Sequence, residues 1–147
     1  MSETTATGSC LCGGVSFTIN APLRPVDCCH CIQCMKTHGH YAAYSAAPTE
    51  AIHFIEQKGL KWYDSSDTAR RGFCQDCGGS LFYQPKGKSY TSIAAGMLDA
   101  PTGLKTVGHI FVAGKNDYYE LPEDGLPRHD RGMSSRRDDK TGGVLPE

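Results

Sequence analysis

The sequence predicts a mainly β domain held together by metal-binding cysteine knuckles, and three observations carry that prediction. Short segments with period-two alternation recur at close intervals, as in Val15-Ser16-Phe17-Thr18-Ile19, which puts alternate side chains on one buried face. Helical periodicity is almost absent. Seven of the eight cysteines fall into the spacings C-x-C, C-x-C-x2-C and C-x2-C, and in a reducing compartment such clusters read as metal ligands rather than disulfides. The 147 residues suit one domain.

Taken in order, residues 1–7 form a polar start read as flexible, and the domain is expected over 8–127. Cys10-Leu11-Cys12 supplies the first pair of thiols, because side chains at i and i+2 of an extended segment point the same way. Gly13-Gly14 lets the backbone turn beside them, and Val15 to Ile19 is a strand ended by Asn20-Ala21-Pro22. Cys28 to Cys34 follows, its Cys31 to Cys34 half read as a tight turn with backbone amides aimed at the thiolates. Tyr41 to Ala47, Ile52 to Ile55 and Leu60 to Tyr63 read as strands. Arg70-Arg71-Gly72-Phe73 leads into the Cys74-Gln75-Asp76-Cys77 knuckle, placed at a hairpin tip because Ser80 to Tyr83 continues as a strand. Tyr90 to Ala95 and His109 to Val112 complete the set. Beyond Pro127, apolar residues thin out and both charge signs crowd in, so 128–147 is read as a flexible tail, with an arm covering a site as the functional alternative.

The net charge of −1 gives no bulk attraction for nucleic acid. The first residues lack a basic region followed by an apolar run, and no stretch reaches the ~18 apolar residues of a membrane span. A cytoplasmic protein with neither a nucleic-acid nor a membrane partner is expected.

Joining Cys10 and Cys12 to Cys74 and Cys77 gives a closed four-thiolate site that pins the first strand to the central hairpin, a structural role for zinc. Cys29, Cys31 and Cys34 then form a second set. Its fourth ligand is Cys28, His30, His38, His40, water or a substrate. Cys28 and His30 are adjacent to ligands and should point away from them, which leaves His38, His40 or an open position. Zinc fits the mixed spacings better than iron.

Five stretches together resemble the glutathione-dependent formaldehyde-activating enzyme family, which includes centromere-protein-V-like members. They are Gly8 to Gly14, Cys29 to Cys34, Arg71 to Gly79, Gly96-Met97-Leu98-Asp99 and Asp124-Gly125-Leu126-Pro127. The resemblance implies an Mss4-like fold of short coiled antiparallel sheets. It also implies a structural zinc on Cys10, Cys12, Cys74 and Cys77 and a catalytic zinc on Cys29, Cys31 and Cys34. It further implies a carbon–sulfur lyase or synthase that condenses glutathione with formaldehyde to S-(hydroxymethyl)glutathione. Three thiolates leave a divalent zinc at a formal charge of −1, better suited to holding a thiolate than to activating water. The expected partners are therefore a small thiol and an aldehyde, with His30, His38 and His40 as candidates to move the proton. Glutathione carries two carboxylates, and Arg70 and Arg71 offer guanidinium forks for them, with a surface ion pair as the alternative for either. Tyr41, Tyr44, Phe54, Trp62 and Tyr63 are candidates for a pocket lining or for core packing. A zinc-stabilised binding module for a protein partner is the competing reading.

Overall fold

Two β-sheets face each other across a core of aliphatic and aromatic side chains in the computed structural model, which describes residues 4–132 and 137–143. In chain order the elements are β1 (Ala6–Ser9), β2 (Ser16–Ile19), β3 (Val26–Cys29), α1 (Ile32–His38), β4 (Ala42–Pro48), β5 (Ile52–Glu56), β6 (Leu60–Asp64), β7 (Ala69–Cys74), β8 (Ser80–Pro85), β9 (Tyr90–Ala94) and β10 (Thr106–Ile110). The small sheet has the order β1-β2-β5 and the large one β10-β3-β4-β9-β8-β7-β6. Pairing is antiparallel except between β10 and β3.

The alternation seen in the sequence is what joins the sheets. Val15, Phe17 and Ile19 are fully buried and meet Leu81 and Ile93 from β8 and β9. The Phe17 and Phe82 rings lie 5.3 Å apart, centroid to centroid. Burying such side chains is worth roughly 1.5–3 kcal/mol each. A second, smaller cluster gathers Ala42, Tyr44 and Ala94 around Cys29 and Cys34.

The structure departs from the sequence expectations at both ends and at three elements between them. The polar start is paired from Thr5 onward, with Ala6 opposite Ile19, since a ladder asks for backbone groups rather than apolar side chains. Gly8 permits this approach, because a Cβ there would lie 2.6 Å from the Phe17 ring. β3 is buried at every position between two neighbouring strands, so it shows no alternation. β7, read as a lead-in to the knuckle, is a strand between β6 and β8. The Cys31 to Cys34 turn is the start of α1, whose seven residues are too few to display a period. Cys31 caps this helix by accepting from the Cys34 amide, and Gly39 ends it at φ 85°.

Within the charged segment after Pro127, the amide of His129 donates to the carbonyl of His109 at 2.9 Å. Arg137 is buried against Asp27, and the Gly142 carbonyl accepts from Arg24 at 3.3 Å and from Arg137 at 3.0 Å. One buried ion pair, Arg137 with Asp27, and these hydrogen bonds stand in for the apolar area the segment lacks. Residues 133–136 and 144–147 of the expected tail lie outside the described residues. Among the described residues, no helix is long and apolar enough to cross a membrane.

Candidate active site and metal centres

The first cysteine set is built by backbone. Cys10 and Cys12 lie between β1 and β2, Cys74 ends β7, and Cys77 follows in the knuckle before β8. Their four sulfurs lie within 4.8 Å of one another. The separations are 3.8 Å for Cys10–Cys12 and 3.6 Å for Cys12–Cys74, against the ~3.8 Å edge of a tetrahedron with 2.3 Å zinc–sulfur bonds. The amides of Val15 and Gly14 donate to Cys10 and Cys12 at 3.3 and 3.4 Å, easing charge on those sulfurs. Gly59 passes so near that a Cβ would stand 2.8 Å from the Cys74 sulfur. The set fits a closed, four-coordinate zinc.

The second set draws Cys29 from the end of β3, Cys31 from the cap of α1 and Cys34 from the first turn of that helix, again with all sulfurs within 4.8 Å. Cys28 takes no part, since neighbours on a strand face opposite ways. Burial, helped by Asp27 and Asp124, pushes its thiol up to about 11, so it keeps its proton at neutral pH. Among the described residues, no histidine or carboxylate lies within 4.8 Å of all three sulfurs. The chemistry of this donor set therefore fits a zinc with one position left for a ligand from outside.

The three candidate histidines have other partners. His38 Nε2 meets the Tyr44 hydroxyl at 2.9 Å, and His40 pairs with the Tyr118 hydroxyl. His30 is fully buried, with Nδ1 at 2.7 Å from the Tyr119 hydroxyl and Nε2 at 3.0 Å from Nδ1 of His109. His109 Nε2 in turn meets Asp124 Oδ2 at 2.9 Å. Burial pushes His30 down to about 4, with His109 adding to it, and pushes His38 to about 4 with Arg71 adding to it. Both rings are neutral at pH 7. The sequence pattern assigns no role to His109, Tyr119 or Asp124. His109 and Tyr119 meet His30 across 79 and 89 positions of chain, Asp124 joins through His109, and no local spacing marks such contacts.

Arg70 and Arg71 separate because successive side chains of β7 take opposite faces. Arg70 lies over the Trp62 ring at 3.9 Å and donates from Nε to Gln84 at 2.8 Å. Arg71 turns inward, donating from Nη1 to the Tyr44 hydroxyl at 3.1 Å and from Nη2 to Gln33 Oε1 at 3.5 Å and Cys34 Sγ at 3.7 Å. Burial alone would lower its basicity, yet Tyr44 and the Cys34 and Cys31 thiols hold it above the usual range. On its other side opens a cavity of about 400 Å³ lined by His38, Tyr44, Lys61, Trp62 and Tyr63, with no carboxylate in its wall. Of the remaining aromatic candidates, Tyr41 lies against His30 and Phe54 packs edge-on against Phe82.

Fold and site together define a cysteine-knuckle β domain able to hold metal ions, one on four cysteines and one on three. The family model for the glutathione-dependent formaldehyde-activating enzyme matches residues 5–114, and the chain belongs to that family. It is 26% identical over 116 residues to an uncharacterized lyase of Schizosaccharomyces pombe, covering 78% of this chain and 83% of that protein. It also shares its fold with a Rhodobacter sphaeroides protein of known crystal structure, with a TM-score of 0.54 at 20% identity, over 83% of this chain and 98% of that one.

Proposed function

We propose that the protein is a zinc-dependent carbon–sulfur lyase of the S-(hydroxymethyl)glutathione synthase type. It joins glutathione, or a similar thiol, to formaldehyde or another small electrophile. The observation that carries this reading is the three-sulfur set of Cys29, Cys31 and Cys34, which lacks a fourth ligand among the described residues and adjoins a carboxylate-free cavity through Arg71 and Tyr44. Family membership supplies the substrate class.

Zinc, when bound by those three cysteines, supplies the positive charge that favours a substrate sulfur as its thiolate. The chain's own residues place the reactants. Lys61 gives the cavity a positive charge for a thiol that carries carboxylates. Trp62 and Tyr63 offer flat apolar walls for its carbon skeleton. His38 and Tyr44 are a neutral hydrogen-bonded pair that can orient the aldehyde oxygen. In the reaction the sulfur forms a bond to the carbonyl carbon, the C=O π bond breaks, and the proton lost by the thiol ends on the new hydroxyl. Holding thiol and aldehyde in contact is the main source of acceleration.

The test is a calorimetric titration of glutathione into protein carrying two zincs, followed by formaldehyde kinetics. Saturable binding that vanishes in Cys34→Ser, with one zinc lost and the fold kept, is the expected result. A fully metallated protein that binds no thiol overturns the reading and leaves a zinc-stabilised binding module.

A further inference from the structure

Arg71 is only 7% exposed, and its oxygen partners, Thr37, Gln33 and Tyr44, are all uncharged. No carboxylate pairs with it among the described residues, and its Nε is buried without a hydrogen-bond partner. A guanidinium taken out of water needs a compensating negative charge nearby. The group in reach that can carry it is the sulfur set, through the 3.7 Å contact with Cys34. Among the described residues, no cation donates to the sulfurs of the four-cysteine site, which are met by the amides of Gly14 and Val15.

We propose that Arg71 is the counter-cation of the three-cysteine centre, the residue whose charge lets that centre accept an anionic sulfur ligand, and not a clamp for the carboxylate of the substrate. The inference rests on the thiol-binding reading above and deepens it. Three thiolates around a divalent zinc sum to −1, and Arg71 brings the neighbourhood to zero before an incoming thiolate adds its own charge. The position of the fork agrees with this role. Nη1 and Nη2 are spent on Thr37, Tyr44, Gln33 and the Cys34 sulfur, so neither is left facing a ligand in the bidentate manner that carboxylate recognition uses. The carboxylate-directed cation is Lys61, which lines the cavity.

Two thiols separate the roles, because glutathione has carboxylates and 2-mercaptoethanol has none. Binding of each is measured on wild type, Arg71→Met and Arg71→Lys, all loaded with zinc. A chelator competition run in parallel reports how firmly the second zinc is held, and the first zinc together with circular dichroism reports the fold. The expected result for Arg71→Met is about tenfold or greater weakening of both thiols, by similar factors, with faster loss of the second zinc alone. Arg71→Lys is expected to recover most of both effects, which a purely structural role of the planar fork would not allow. Loss confined to glutathione, with zinc retention unchanged, overturns the proposal in favour of a carboxylate clamp. Unchanged zinc retention in Arg71→Met overturns it whatever the thiols do. If wild type binds neither thiol, the function proposed above fails, while the chelator competition still decides the role of Arg71.

Discussion

Cys10, Cys12, Cys74 and Cys77 are held almost wholly by main chain, whereas Cys29, Cys31 and Cys34 sit among side chains that carry charge and protons. Around the first set stand glycines and backbone amides, with Gly14 and Val15 as donors. Around the second stand Arg71, Tyr44, His38 and a cavity. The ligand atom is the same in both, so the ligands alone do not decide what a centre does. A metal with all four positions taken by cysteine has only folding to contribute, while one flanked by a buried cation and neutral hydrogen-bonding rings has the surroundings a reaction needs.

The sharpest way to break this comparison is Cys74→Ser. Cys74 is fully buried, belongs to the main core and helps tie the segment before β2 to β7. Structural zinc in small peptides contributes ~10–16 kcal/mol, comparable to or above the whole stability of a domain. The expected outcome is loss of cooperative unfolding and of both zincs, read by circular dichroism and metal analysis. A variant that still melts cooperatively would show that the two sheets do not depend on this site.

Cys31→Ser is the contrasting change and ranks next. Cys31 is partly exposed and its sulfur caps a helix of only seven residues. A serine oxygen can keep the cap, so the expected cost in stability is within about 1 kcal/mol, against loss of one zinc and of thiol–aldehyde turnover. Metal content and thermal melting on one sample check both halves; a two-zinc, fully active variant would merge the two centres into one structural class.

Much of this contrast can be read from the sequence, and its limits are physical. C-x-C and C-x-x-C are local spacings, so the grouping of seven cysteines needs no tertiary information. Strands with one wet face, such as β2, announce themselves through Phe17 and Ile19. β3 does not, because both of its faces are covered, and α1 does not, because two turns leave no period. The surroundings that distinguish the second centre come from far along the chain. Arg71 reaches Cys34 from 37 positions away, and the His30–His109–Asp124 line crosses from β3 through β10 to the loop beyond. Composition does not register that one buried pair, Arg137 with Asp27, can anchor a segment poor in apolar residues.

Acid should separate the two regions further, since the buried neutral histidines belong to the second one. Unfolded, histidine ionises near 6.5; folded, His30 does so near 4. Between those values the unfolded chain binds the extra proton, so this contribution to stability is intact above pH 6.5 and falls as pH drops toward 4. At pH 5 the loss is about 2 kcal/mol for a fully buried ring such as His30. Urea unfolding at pH 7 and 5, with the His30 ring followed by NMR, tests it, and a cationic His30 ring in the folded protein at pH 5 would rule it out.

The smallest effect is expected one residue away from the inferred counter-cation. Arg70 shares β7 with Arg71 and the same charge, but it is directed to Trp62 and Gln84 rather than to sulfur. Its cation–π contact, only partly shielded from water, is worth ~0.5–1 kcal/mol. Arg70→Ala should therefore lower the melting temperature slightly and leave zinc retention and 2-mercaptoethanol binding as in wild type. A change in zinc retention as large as that expected for Arg71→Met would mean that the centre responds to the overall positive charge of the strand. The distinction between a cation that touches Cys34 and one that faces the opposite side of the sheet would then have no energetic content.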